Sequence, residues 1–371
     1  MRRLFAIVAA LFFIGSASAD SDDFLKFEFE QIADGVWAGV RPDSPRFPVL
    51  GNTTFVIGDT GVVVFDGGGL PVMGEQIIDK VASLTSLPVT HVVISHWHGD
   101  HHFGIAPFLK RFPNVQVVAH SFTERAMRGS TIDYIENYAV FDQVRLPGFR
   151  QTVETGVHPD GNPATEHDLE VYRQILRDED IYMPEFRRVT LTLPNLVFDG
   201  HLTIRSGDRT IELMSLGAGN TEGDIVMWLP DEKIVSTGDL VVLPSPYAFN
   251  MPPRAWADTL RRLNELEYRT LVPGHGPVQR DRAYVDLLID VGDDIANQRD
   301  ALAANGVATE NIAEQLDFSA WKDQFTHGDA YIEGYYTDWF EVPFREAAVK
   351  ELSGDPMVEI GPRKQAARQP D

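Results

Sequence analysis

Five of the eleven histidines in this chain fall between His91 and His102. Inside that window, His96-Trp97-His98-Gly99-Asp100-His101 sets three imidazoles and a carboxylate at close spacing. These are the ligand types that hold zinc and similar cations. The run follows Val92-Val93-Ile94-Ser95, which reads as a buried strand. On an extended backbone residues two apart point the same way, so His96 and His98 can reach one ion together. Gly99 permits a sharp turn, after which Asp100 and His101 face a second point nearby. A merely solvated polar loop would not gather so large a share of the histidines. The chain has no cysteine, so every metal ligand must be His, Asp, Glu or Asn. No Gly-x-Ser-x-Gly elbow is present to suggest a serine nucleophile.

The surrounding pattern must place these groups. Phe27 to Val40 alternates apolar and polar residues about a turn at Gly35. Thr53–Ile57 and Gly61–Phe65 read as a hairpin, and Glu75–Leu84 as an amphipathic helix. Val89–Ser95 and Val115–Ala119 read as strands. Residues 121–188 are expected to form a helical insert, with helices over Asp133–Phe141 and Glu166–Leu176 and a Pro/Gly-rich loop over Pro147–Pro163. Such an insert could cover a pocket or only elaborate the surface. Strands are then expected at Val189–Leu193, His201–Ser206, Thr210–Leu216, Asp224–Leu229 and Lys233–Ser236, with Asn195–Gly200 as a turn. Trp256, Leu260 and Leu263 share a helical face, Leu271-Val272 is a last strand, and Asp281 to about Asn297 is a long helix. The remainder reads as helices, ending with Trp339–Leu352.

Four of these stretches, each at a strand end, resemble the metallo-β-lactamase superfamily. They are the His-x-His-x-Asp-His run, Asp66 after Val62–Phe65, Gly238-Asp239 after Ile234–Thr237, and Pro273-Gly274-His275-Gly276. The resemblance covers roughly residues 27–300. It implies an α/β fold, the αβ/βα four-layer sandwich, here with the helical insert and a helical C-terminal tail. The expected division is a leader at 1–19, the domain at 20–303, and an extension at 304–371 packed on that domain. It implies that His96 and His98 belong to a first metal site, that Asp100, His101 and His275 belong to a second, and that Asp239 bridges them. Asp66 is expected to accept a hydrogen bond from a ligand histidine. The family's third histidine of the first site falls on Asn220, inside Gly217-Ala218-Gly219-Asn220-Thr221-Glu222-Gly223-Asp224. An amide oxygen is a weaker ligand than imidazole. Asn220 could ligate, could hydrogen-bond a coordinated water, or could leave the first site empty; two zinc ions with Asn220 on or near the first is the expectation.

The chemistry implied is hydrolysis. Zinc lowers the pKa of its water to about 7, and the resulting hydroxide attacks a polarised carbonyl. Asp100 would orient the nucleophile and pass a proton to the leaving group. An amide, ester or thioester is the expected target, with β-lactams, lactones and thioesters all compatible. The alternatives are a metal-dependent oxidoreductase of the same superfamily, against which Asn220 counts, and a binding protein without turnover.

Residues 1–19 read as an export leader: Arg2-Arg3, an apolar Leu4–Ile14, and Ala17-Ser18-Ala19 before Asp20. A periplasmic location and a small-molecule substrate are expected. No later run looks transmembrane. The formal charge is −23, an acidic surface that repels nucleic acid.

Overall fold

Val62-Val63-Val64-Phe65 is apolar at every position and buried at every position. A strand covered on one face only would alternate, so this one has layers on both sides. The computed structural model describes residues 25–41 and 50–358. The expected leader lies outside the described residues.

Two sheets are present. The first has seven strands in sequence order: β1 (Glu28–Ala33), β2 (Val36–Val40), β3 (Thr53–Ile57), β4 (Val62–Phe65), β5 (Val89–Val93), β6 (Gln116–His120) and β7 (Leu196–Phe198). β1 to β4 pair antiparallel, and β4 to β7 pair parallel. The second sheet contains β8 (His201–Ser206), β9 (Arg209–Met214), β10 (Val226–Leu229), β11 (Ile234–Ser236) and β12 (Thr270–Val272), in the order β12-β11-β10-β9-β8. Only β11 and β12 pair parallel there. Parallel neighbours need a crossover, supplied by helices Pro71–Leu84 and Pro253–Asn264.

Side-chain alternation sorts the core into three zones. Val63, Phe65, Val93 and Val118 meet Ile211, Leu213, Met227 and Ile234 between the sheets. Val62, Val64 and Val92 face outward onto the helix Pro71–Leu84 through Met73, Ile77 and Val81. On the far side, Val235 and Leu271 lie under Trp256, Leu260, Leu288 and Ile295. The result is helix, sheet, sheet, helix. Each fully buried Leu, Ile, Val or Phe contributes about 1.5–3 kcal/mol.

The insert and the segment after it depart from expectation at four places. Part of the loop expected over Pro147–Pro163 is helical, Leu146–Thr155, which runs on directly from the wider helical turn Phe141–Arg145 with Pro147 at the junction. Gly156, in the left-handed region at φ 73°, ends that helix. The next helix runs from Glu166 to Phe186, ten residues past the expected end at Leu176, opened by a Thr165–Asp168 capping box. The strand expected at Val189–Leu193 is absent: those side chains pack on the helical layer instead. Asn195 exchanges hydrogen bonds with the backbone of Val117, and this docks β7 beside β6 where a turn was expected.

The C-terminal helices bury Phe318, Phe325, Tyr336, Phe340 and Phe344 against the second helical layer. Among the described residues no helix is long and apolar enough to cross a membrane.

The insert also holds a buried acid. Glu179 is 1 % exposed and accepts a hydrogen bond from the Tyr138 hydroxyl at 2.9 Å. Burial pushes its carboxyl up to about 7; the Tyr138 hydrogen bond opposes this, and Asp178, Asp142 and Asp180 add to it. The unfolded chain therefore releases this proton near pH 4.5 while the folded chain keeps it to about pH 7. Stability contributed by Glu179 should fall as pH rises across that window, by on the order of 3 kcal/mol. Thermal unfolding between pH 5 and pH 8 should show a shallower pH dependence in Glu179→Gln than in the wild type. Parallel profiles would refute this.

Candidate metal centre

Four strand ends from the two sheets converge on one point. β4 ends at Asp66, whose φ of 64° is unusual for a residue with a side chain. That turn lets its carboxylate reach back: Oδ1 accepts from the Ser95 amide at 2.8 Å, and Oδ2 from His101 Nδ1 at 2.9 Å. The second bond fixes the tautomer of His101 and aims Nε2 inward. β5 leads to His96 and His98, and the short helix Gly99–His102 carries Asp100 and His101. The Ser95 hydroxyl lies 2.9 Å from His96 Nδ1, which likewise leaves His96 Nε2 facing inward. β11 leads through Gly238, at φ 51°, to Asp239. β12 leads to His275, and Gly274 is required beside it: a Cβ there would stand 2.0 Å from Asp239 Oδ1.

Asp100, His101, Asp239 and His275 each bring one ligand atom within 4.8 Å of the others, and His96, His98 and Asp239 form a second such set. In the first of these groups, His101 Nε2 is 3.2 Å from Asp100 Oδ2 and 3.1 Å from Asp239 Oδ1. His275 Nε2 is 3.1 Å and 3.3 Å from the same two oxygens. Yet His101 Nε2, His275 Nε2, His96 Nε2 and Asp239 Oδ1 are buried and make no hydrogen bond of acceptable geometry. Atoms that crowd to this distance with their lone pairs converging suit a cation. A tetrahedral zinc with bonds of 2.0–2.1 Å sets its ligands roughly 3.3 Å apart. The residues fit a metal ion.

Electrostatics agree with the geometry. Burial alone would raise both carboxyls, but the charges of His101 and His275 outweigh it and hold Asp100 and Asp239 well below the usual carboxylate range. Burial alone would lower the imidazoles, yet the two carboxylates raise His101 well above its ordinary value and raise His275 as well. The two carboxylates thus draw positive charge toward themselves, as protons on the imidazoles or as a cation in their place. For His96 and His98 burial prevails and both stay below the ordinary histidine value.

Asn220, the departure from the family pattern, is fully buried beside the site. Its backbone N–H donates to Asp224 Oδ2 at 2.7 Å, and Thr221 caps the same carboxylate, which builds the loop around it. Its Nδ2 lies 3.2 Å from Asp239 Oδ2 and 3.3 Å from His98 Nδ1. The other histidines stand apart. His102 bonds the Trp97 carbonyl at 3.0 Å and braces the motif loop. His91 bonds Thr90, and His120 accepts from the Phe122 amide at a helix start. Two contributors were not foreseen: Ser95, and Asn52, whose Nδ2 donates to the Pro273 and Gly276 carbonyls on both sides of His275. Asn52 sits in a plain Gly-Asn-Thr stretch, and nothing local in the sequence marks a contact 221 residues away.

The model of the metallo-beta-lactamase superfamily matches residues 46–275, and the chain belongs to that superfamily. A lactamase-like protein from Pestalotiopsis microspora is 27% identical over 109 residues, 29% of this chain and 33% of that protein. An atrochrysone carboxyl ACP thioesterase from Aspergillus fumigatus is 32% identical over 76 residues, 20% of this chain and 18% of that protein. The matched segments thus span a third or less of these relatives' lengths. Among solved structures, a stereoselective inverting sec-alkylsulfatase from Pseudomonas sp. superposes with a TM-score of 0.55 at 16% identity, over 88% of this chain and 50% of that one. At that identity the likeness is one of fold. Superfamily and cluster together make this a metal-binding site.

Asp66→Asn keeps the shape of the Asp66–His101 contact but loses its charge, and its amide can favour the wrong tautomer of His101. Metal affinity, measured by competition with a chromophoric chelator, should fall about 10–100-fold. Unchanged affinity would remove Asp66 from the site.

Proposed function

We propose that this superfamily member is an exported zinc-dependent hydrolase that cleaves an amide, ester or thioester bond of a small molecule. The observation that carries this reading is the convergence of buried, hydrogen-bond-free ligand atoms from Asp239, His101 and His275 beside the more open Asp100. A buried set of two imidazoles and two carboxylates suits zinc. When bound, the ion supplies Lewis acidity and an activated water at neutral pH.

The chain's own residues supply the rest. Asp100 is 24 % exposed, while His101, Asp239 and His275 are almost closed off. It is therefore the group in the cluster that can meet both an attacking water and a leaving group. From this position it orients the attacking water through a hydrogen bond and relays that water's proton to the departing oxygen, sulfur or nitrogen as the bond breaks. Asp239, almost fully buried, keeps its place by accepting from Asn220 through Oδ2.

Aromatic rings adjoin the cluster at His275. The Tyr247 ring lies 5.0 Å from that of His275, and Trp339 backs Tyr247 at 4.9 Å. Such a wall suits an apolar acyl group. The similarity to a protein named a carboxyl ACP thioesterase supports thioesters within the proposed bond classes. The leader-like segment at residues 1–19 supports export; the mature chain is expected to begin at Asp20.

The test is an assay of the metal-loaded mature protein on acyl thioesters, p-nitrophenyl acyl esters and a chromogenic β-lactam. Turnover of at least one class should disappear with a chelator and return with zinc. Asp100→Asn should lower kcat at least 100-fold. Metal-loaded protein that turns over none of the three would overturn the reading.

A further inference from the structure

The two sets of ligand atoms are unequal. The Asp100, His101, Asp239 and His275 set has four residues, two of them carboxylates, with separations of 3.1–3.3 Å. The other set has two imidazoles and only a share of Asp239. Its His96 Nε2 stands 3.7 Å from Asp239 Oδ2, beyond the roughly 3.3 Å that one tetrahedral ion imposes.

Asn220 fills the gap between them. A carboxamide nitrogen carries two hydrogens and no lone pair for a metal. Here it lies within reach of two acceptors, Asp239 Oδ2 at 3.2 Å and His98 Nδ1 at 3.3 Å. Those lone pairs are the ones a first ion would need. The opposite amide orientation would set a carbonyl oxygen against the Asp239 carboxylate at the same distance, which is repulsive. Asn220 Oδ1, turned the other way, makes no hydrogen bond, so the inner contacts decide the orientation. With Oδ2 engaged by Asn220, Asp239 offers Oδ1 to His101 and His275.

We infer that this chain holds one tightly bound metal ion, at Asp100, His101, Asp239 and His275, and that the Asn220 amide stands in for a first ion by hydrogen-bonding His98 and Asp239. Asn220 is thereby a positioning residue, and the inference rests on the metal-binding reading above.

The experiment is metal content by mass spectrometry. The mature protein is loaded with excess zinc, passed through gel filtration and counted per chain. The wild type should retain one zinc and Asn220→His two. His96→Ala should still retain one, and His275→Ala none. Asn220→Ala, which can neither ligate nor hydrogen-bond, should retain one ion but release it to a competing chelator more readily than the wild type, because Asp239 loses its hydrogen bond, and this keeps the test available should the histidine variant misfold. Two zinc ions retained by the wild type would overturn the inference, as would loss of the ion in His96→Ala with retention in His275→Ala. A wild type that retains none would instead overturn the metal-binding reading itself.

Discussion

Two carboxylates, Asp100 and Asp239, stand within about a hydrogen-bond length of the same two imidazoles in the interior of this protein. Ionised carboxylates in such a place need positive charge beside them. Removing one partner from such a cluster typically costs about 3–5 kcal/mol. The rest of the molecule can be understood as the apparatus that holds this concentration of charge together. β5 brings Asp100 and His101, β11 brings Asp239, and β12 brings His275. The sheets that carry them are joined by polar clasps as well as by their shared core. Asn52 grips the loop around His275, and Thr54 bonds Ser236 at 2.8 Å across the sandwich.

The additions to the sandwich meet the site from two sides. The insert is tied to the motif by the Thr131 hydroxyl, which donates to the Trp97 carbonyl at 3.1 Å, and its Phe186 packs edge-on to Phe103 just beyond the motif helix. The C-terminal region reaches the opposite wall, where the Trp339 carbonyl accepts from the Ala248 amide and its ring backs Tyr247. Variation in either addition would change the packing around the site without touching the metal ligands. This is how one scaffold can serve different substrates.

The parts of the sequence that were legible are those where chemistry and periodicity coincide locally. The histidine run was legible because three imidazoles and a carboxylate gather within six residues after an apolar strand, although β5 ends at Val93 and the first two histidines lie in the loop beyond it. Asp66, Asp239 and His275 were legible through the family resemblance, each standing in its expected order just after an apolar strand. The β4 strand was legible from its unbroken apolar run. What was not legible depends on contacts distant in sequence. Nothing near Asn52 points to residues 273 and 276. The helix at Leu146–Thr155 was hidden because Pro147 and Gly148 read as breakers, although the helical turn before them runs straight on. β7 has three residues and owes its existence to Asn195 docking on Val117. Asn220 was visible as a departure, but which face of its amide turns inward depends on the acceptors opposite, and these are set by the fold.

The most direct measurement is an anomalous difference map from crystals of the zinc-loaded protein, collected on both sides of the zinc absorption edge. The expected result is one strong peak at about 2.0–2.2 Å from ligand atoms of Asp100, His101, Asp239 and His275. A dominant peak centred on His96 and His98, with none at the four-residue group, would contradict the central claim.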